Sequence, residues 1–272
     1  MLTIEKKDFH TLVNFVQANY GIDLSKKEQL IVGRLQFTVL EKGYKDFAEY
    51  VKHITEDRNS EDIEVMLNKL TTNYTHFLRE EKHFDYMKKI ILPELESTKK
   101  NKVLSIWSAG CSSGEEPYTM SMVLKDHFDK SSSQWDTRVL ATDISQNVLR
   151  KAQNSLYPES DLENLPKEWL SKYFVKDAAA GGYRVSPGIK DNVIFRTFNL
   201  MDPIKFKLKF DVVFCRNVMI YFDKPTRAAL IKRFYDATNP GGYLFIGHSE
   251  SLNRDDAPYK QMGPSIYRKP LD

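Results

Sequence analysis

Residues 102–110 read KVLSIWSAG and run straight into residues 111–118, CSSGEEPY. An apolar, β-branched run gives way to small residues bracketed by Gly110 and Gly114. The loop then opens into the helical pattern EEPYTMSMVLKDHF. Strand, glycine-bearing loop and helix in that order start a parallel α/β sheet. Downstream the same rhythm continues through TRVLATDIS, SQNVLRKAQNSLY, NVIFRTFNL, FDVVFCRNVMIY, KPTRAALIKRFYDATN and GGYLFIGHS. Strands separated by helices of about 10–15 residues predict βαβ units. The run FDVVFC is apolar on both faces, as a central strand covered on both sides must be.

Two segments depart from that rhythm. Between the helix ending near Tyr157 and the strand starting near Asn192, the chain is longer than a simple connection needs. DLENLPKEWLSKYF reads as helical. VKDAAAGGYRVSPGIK reads as short antiparallel strands with turns at Gly181-Gly182 and Pro187-Gly188. This predicts a small β-subdomain insert at about 158–192. The terminal YKQMGPSIYRKP predicts a closing hairpin. Upstream, residues 1–72 carry only helical patterns. Phe9, Leu12, Val13, Phe15 and Val16 share a face ended by Gly21. Ser25 with Glu28 spells a capping box, and YKDFAEYVKHI and SEDIEVMLNKLTT, the latter capped by Ser60, supply two more helices. The fold class is therefore α/β: an all-α domain over 1–72, then a doubly wound domain over 73–272 with a small antiparallel insert.

Composition narrows the function. The chain has 272 residues, 40 Lys plus Arg against 37 Asp plus Glu, and a formal charge of +3. That is too mild for a nucleic-acid protein, which shows a basic stripe or domain. Cys111 and Cys215 are too few for a disulfide framework or a four-thiolate metal site. No apolar stretch approaches about 18 residues, so no membrane insertion is expected. The charges in the N-terminal stretch predict no signal peptide, and a cytoplasmic setting is expected.

Candidate site residues gather at strand ends. Ligands of open α/β sheets bind outside the carboxyl ends of the strands, and glycine lets the backbone approach them. The loop lacks the Gly-Lys-Ser/Thr ending of a phosphate loop and the full dinucleotide fingerprint. Asp143 ends RVLATD and is placed to accept bonds from ribose hydroxyls. Its competing role is a helix cap, for which Ser145 is better placed. Asn199 ends VIFRTFN, and Arg216 and Asn217 follow FDVVFC. Four polar strand ends describe a lined crevice, and the missing two-phosphate signature favours a compact adenosyl ligand. Before the sheet lies LTTNYTHFLREEKHF. By spacing alone, Thr72 or Asn73 there is an ordinary helix cap and Arg79 a solvated helix residue.

The succession LTTNYTHFLRE, AGCSSGEEPYTM, ATDIS, FNLMDP, FDVVFCRNVMIYFDK and NPGGYLFIGHSESL resembles the CheR chemotaxis receptor methyltransferases over nearly the whole chain. The resemblance implies a Rossmann-like S-adenosylmethionine-dependent methyltransferase domain with a β-subdomain. It also implies methyl transfer to receptor glutamate side chains, giving methyl esters and S-adenosylhomocysteine. Carried over by motif, cofactor contacts fall on Asn73, Thr75, Arg79, Glu116 (its neighbour Glu115 being the alternative), Asp143, Asn199, Leu200, Arg216 and Asn217. Arg79 and Tyr221 are the implied catalytic residues, Tyr221 facing the transferring methyl. Partners implied are the cytoplasmic helical domains of methyl-accepting chemotaxis proteins. The family's pentapeptide-binding loop corresponds to VKDAAAGGYRV, which is short, so no strong C-terminal pentapeptide tether is expected.

A glutamate carboxylate is ionised at neutral pH and needs no general base, so no His-Asp or Cys-His pair and no metal are expected. His248 in IGHSE reads as a structural hydrogen-bond partner. CRNVMIY lacks the Pro-Pro of amino-methylating enzymes, which makes an amide or nucleobase acceptor a weaker reading. A non-catalytic S-adenosylmethionine-binding regulator on the same fold is the alternative. Lys27 and Arg34, seven apart, offer a basic face for receptor docking, although residues 1–72 hold 10 basic and 12 acidic side chains.

Overall fold

The computed structural model describes residues 2–57, 60–129, 131, 134–253 and 255–271. They fall into two compact units, Met1–Asn73 with Tyr221–Arg227, and Tyr74–Ile220 with Ala228–Asp272.

The first unit holds α1 (Lys6–Tyr20), α2 (Glu28–Glu41), α3 (Phe47–Glu56) and α4 (Glu61–Leu70). Leu12, Val13 and Val16 of α1 are buried, while Phe15 is only half-buried. Gly21 ends α1 at φ 72°, its N–H returning to the Gln17 carbonyl, a left-handed stop that a side chain would resist. Ser60 caps α4 as predicted, accepting from the Asp62 N–H. Ser25 does not cap α2. Its N–H and hydroxyl both donate to Asp23, and the residue ahead of α2 is Lys27, with no side-chain cap. A nearby Asp outcompetes the capping box by making an Asx turn. Arg34 is also not a free basic face: its guanidinium donates to the carbonyls of Lys69, Leu70 and Thr71, closing the C-terminal end of α4. The segment Tyr221–Arg227 belongs to this unit through the Ile22–Phe222 bridge and the Asp23 N–H on the Tyr221 carbonyl.

The second unit begins with α5 (Lys82–Tyr86), a π turn (Met87–Ile91) and α6 (Leu92–Thr98). The α/β alternation follows: β1 (Ile106–Ala109), α7 (Glu115–Phe128), β2 (Val139–Asp143) and α8 (Gln146–Asn154). The insert contains β3 (Leu156–Tyr157), α9 (Lys167–Tyr173), β4 (Phe174–Asp177), β5 (Gly182–Val185) and α10 (Pro187–Lys190). Next come β6 (Val193–Thr197), β7 (Phe210–Cys215), α11 (Lys224–Ala237), β8 (Thr238–Ile246), β9 (Lys260–Gly263) and β10 (Ile266–Arg268). Two sheets result, ordered β6-β2-β1-β7-β8-β10-β9 and β3-β5-β4.

The large sheet is parallel from β6 to β8 and closes with the antiparallel β9–β10 hairpin that the sequence predicts. Every residue of β1 and β7 is buried. Trp107 packs against Phe198, Phe206, Phe210 and Phe234, and its indole N–H is satisfied by Thr142 Oγ1 at 2.9 Å. The insert is antiparallel as expected, but its sheet starts at Leu156, and Pro187-Gly188 opens a short helix instead of a turn. Proline at a first helical position lacks only an N–H that would go unused. Leaving β1, the chain steps one way to β2 and β6 and, later, the other way to β7 and β8. That reversal opens a crevice at the carboxyl ends of β1 and β7.

Candidate active site

Loop, strand ends and helix start meet at this crevice in the second unit. Gly110 and Gly114 sit at φ 85° and 100°. A Cβ on Gly110 would lie 2.5 Å from Val218 Cγ2, and one on Gly114 would lie 2.9 Å from Ala152 Cβ. Both glycines are thus needed for the backbone path and for close approach.

Asp143 closes the loop. One carboxylate oxygen accepts the Ser112 N–H at 2.9 Å and the other the Ser145 N–H at 3.0 Å. Burial pushes its acid above the ordinary range, against those backbone donors. Ser145, not Asp143, caps α8, accepting from Val148. With the Ile144 N–H as a further donor, Asp143 spends most of its acceptor capacity on the loop and keeps the remainder for a ligand.

The centre of the crevice is Arg216, whose side chain is 2% exposed. Its guanidinium reaches Glu80 Oε2 and Glu116 Oε2, each at 3.2 Å, and donates to the Arg79 carbonyl. The rings of Phe84 and Phe214 flank it, 5.4 and 5.7 Å away. Glu116 is fixed from its other side by the Ser108 hydroxyl at 2.7 Å. Burial raises the Glu116 acid, with Arg216 pulling the other way. For Glu80 burial also pushes up, but Arg216 and the His248 N–H more than reverse it and hold its carboxyl low. Counted as ionised, two carboxylates around one guanidinium give this cluster one net negative charge. Glu115 takes no part: both its oxygens accept from Ser113, and burial pushes its acid up to about 6.

Asn217 follows at φ 59°, a left-handed conformation that Asn tolerates better than most residues. Its N–H donates to Glu250 Oε2 at 2.9 Å, and its side-chain Oδ1 is buried with no donor. That oxygen is one a ligand N–H or O–H would satisfy. Glu250, 6% exposed, also takes the Gly247 and Ile220 N–H groups, and so holds the whole turn after β7. Asn199 lies two residues past β6 and accepts from the Met201 N–H, and Leu200 beside it is buried.

In the segment before α5, the structure does not produce the helix cap that spacing alone favours. Residues 73–76 are non-helical and the first helix starts at Lys82. The Arg79 guanidinium folds back on the Tyr74 carbonyl at 2.8 Å, so Arg216 is the buried cation at the strand ends. Thr75 is half-buried in the same segment. Asn73 and Tyr221 belong to the helical unit, where the Tyr221 hydroxyl donates to the Thr72 carbonyl at 3.3 Å.

The strand-end residues Arg216 and Asn217 were singled out in sequence, and Glu116 only through the family motif with Glu115 as the alternative; Glu80, His83 and Glu250 were missed. Glu250 had a signal, a charged residue four positions past the apolar run YLFI. Glu80 had none beyond standing next to Arg79. His83 is 1% exposed, and burial pushes its imidazole down to about 4.

The family described as "CheR methyltransferase, SAM binding domain" matches residues 73–267, and "CheR methyltransferase, all-alpha domain" matches 7–71. The chemotaxis protein methyltransferase of Borreliella burgdorferi is 39% identical, covering 98% of this chain and 96% of its own. Chemotaxis protein methyltransferase 1 of Pseudomonas aeruginosa is 37% identical, covering 95% and 96%. Among solved structures, the methyltransferase domain of bacterial CtHen1-CN aligns over 60% of this chain and 65% of its own, at 16% identity and a TM-score of 0.34.

Proposed function

The chain belongs to the CheR methyltransferase family, and from that premise we propose that it methylates glutamate side chains of chemotaxis receptors. S-adenosylmethionine, when bound, supplies the electrophilic methyl; the products are the glutamate methyl ester and S-adenosylhomocysteine. The observation that carries this reading is the Glu80–Arg216–Glu116 cluster at the strand ends, with the unpartnered Asn217 oxygen beside it. Its net negative charge complements a cationic sulfonium, and the orphaned oxygen fits a polar hydrogen of the cofactor.

The protein's own contribution is placement and charge. Asp143 is set to take the ribose hydroxyls with the lone pairs the loop leaves free. Glu116 and Arg216 hold each other rigid before any ligand arrives, so little reorganisation is required on binding. Asn73, Thr75, Asn199 and Leu200 join the cofactor set by motif. So does Arg79, whose guanidinium would exchange the Tyr74 carbonyl for a bidentate contact to a carboxylate. Tyr221 is proposed at the transferring methyl. No residue needs to remove a proton, because the acceptor arrives as a carboxylate.

The acceptor is proposed to lie on the cytoplasmic helical domains of the receptors, which places the protein in the cytoplasm. Among the described residues no helix is long and apolar enough to cross a membrane. The β4–β5 connection is only Ala178–Gly181, with Asp177 tied to the Ala180 N–H and to Arg184. So short and internally bonded a loop supports weak or absent pentapeptide binding. Titration with a receptor C-terminal pentapeptide is expected to show none; micromolar affinity would contradict this.

The deciding experiment incubates the protein with methyl-labelled cofactor and receptor membranes, then treats them with mild alkali. Base-labile label on the receptors is expected. Base-stable label would move the acceptor to nitrogen, and absence of label with intact cofactor binding would make the protein a non-catalytic binder.

A further inference from the structure

Glu80, His83 and His248 bring a carboxylate oxygen and two imidazole nitrogens within 4.8 Å of one another. Among the described residues no other His, Cys, Asp or Glu group meets that condition. Chemically, one carboxylate and two imidazoles form a metal-ligand set with an open fourth position.

His83 is what sets this cluster apart. It is 1% exposed, and neither ring nitrogen makes a hydrogen bond. Nδ1 lies 3.4 Å from Glu80 Oε2, and the Pro264 carbonyl is a second acceptor facing the ring. Buried polar atoms are nearly always partnered, so two orphaned nitrogens on one side chain call for an explanation. The His248 ring stands edge-on 5.0 Å away and is exposed, giving the cluster a route to solvent.

We propose that Glu80, His83 and His248 form a binding site for a divalent transition metal of the zinc class. Two imidazoles select against magnesium and calcium, which prefer all-oxygen shells. Ligand bonds of about 2.0–2.2 Å require the three donor atoms to draw closer than their present spread. The exposed His248 ring has the freedom to make that movement. Arg216 holds Glu80 Oε2 through Nε and Nη2, which leaves Glu80 Oε1, the acceptor of the His248 N–H, as the oxygen for the ion. A bound ion ties the start of α5 and the segment before it to the turn after β8. Glu80 is shared with the Arg216 cluster of the methyl-transfer reading, so the metal is titrated without cofactor and its readout reports metal binding alone.

The test is a titration of the full chain with Co²⁺, followed by the visible d–d absorption, and then displacement with Zn²⁺. One Co²⁺ equivalent is expected to give the absorption and Zn²⁺ to abolish it. His248→Ala, a change at an exposed side chain, should weaken Co²⁺ by roughly tenfold or more. His127→Ala, at the Glu96 pair, should leave it unchanged. A His83→Gln variant that retains its fold should behave like His248→Ala. Absence of absorption at millimolar Co²⁺, or undiminished binding in His248→Ala, overturns the site.

Discussion

At the residue scale, Arg216 carries the most electrostatic weight. Two buried carboxylates depend on it, and removing one partner of a buried pair commonly costs about 3–5 kcal/mol. Arg216→Ala is therefore expected to lower stability by that order in denaturant melts and to abolish cofactor binding. Wild-type stability would show that the cluster is solvated, not buried. The sequence announced Arg216 through CRN at a strand end, but not its task. Contact with Glu80, 136 positions away, follows from the sheet order, not from local pattern. Glu115 and Glu116 were indistinguishable as letters. Their separation comes from helix geometry, which turns one toward Arg216 and Ser108 and the other toward Ser113. Glu115 also yields a pH prediction. Its folded acid sits at about 6, above the ordinary 4.5, so the folded state holds the proton longer. The group's stability contribution is greatest below about 4.5, falls as pH rises toward 6 and is flat above that, a loss of about 2 kcal/mol. Glu115→Gln should erase that dependence and be the more stable protein at pH 7. An unchanged pH slope in urea melts would place the Glu115 carboxylate in water.

At the element scale, the strand–loop–helix start was readable because its devices are local. β-branched runs, small loop residues and glycines at positive φ are all written within a few positions. Gly114→Ala tests that reading directly. A left-handed conformation costs a non-glycine residue about 1–2 kcal/mol, and here the new methyl also meets Ala152. Lower stability and weaker adenosylhomocysteine binding are expected together. Loss of neither would mean the loop has room to relax. Where local signals competed, sequence reading failed. Ser25 had a capping box on one side and Asp23 on the other, and the Asx turn won. Pro187-Gly188 carried a turn signal, but a proline also starts helices. Arg34 looked like surface charge because its carbonyl partners lie 35 to 37 positions ahead.

At the scale of the whole molecule, the α/β class and the helical first unit followed from periodicity, and the order of the strands from none of it. Composition sees no sheet topology; the reversal at β1 emerges only when β7 pairs with β1 across more than a hundred residues. Yet that reversal is what turns four separate strand ends into one crevice. The near-balance of charge also conceals a local arrangement, since the excess negative charge at the crevice is a matter of one buried arginine between two acids. The account therefore stands on whether that crevice binds an adenosyl ligand. Isothermal calorimetry of the purified chain with S-adenosylhomocysteine measures this most directly. Saturable binding of one equivalent, lost in Arg216→Ala and weakened in Asp143→Ala, is the predicted result. No heat, or affinity indifferent to both substitutions, would contradict it.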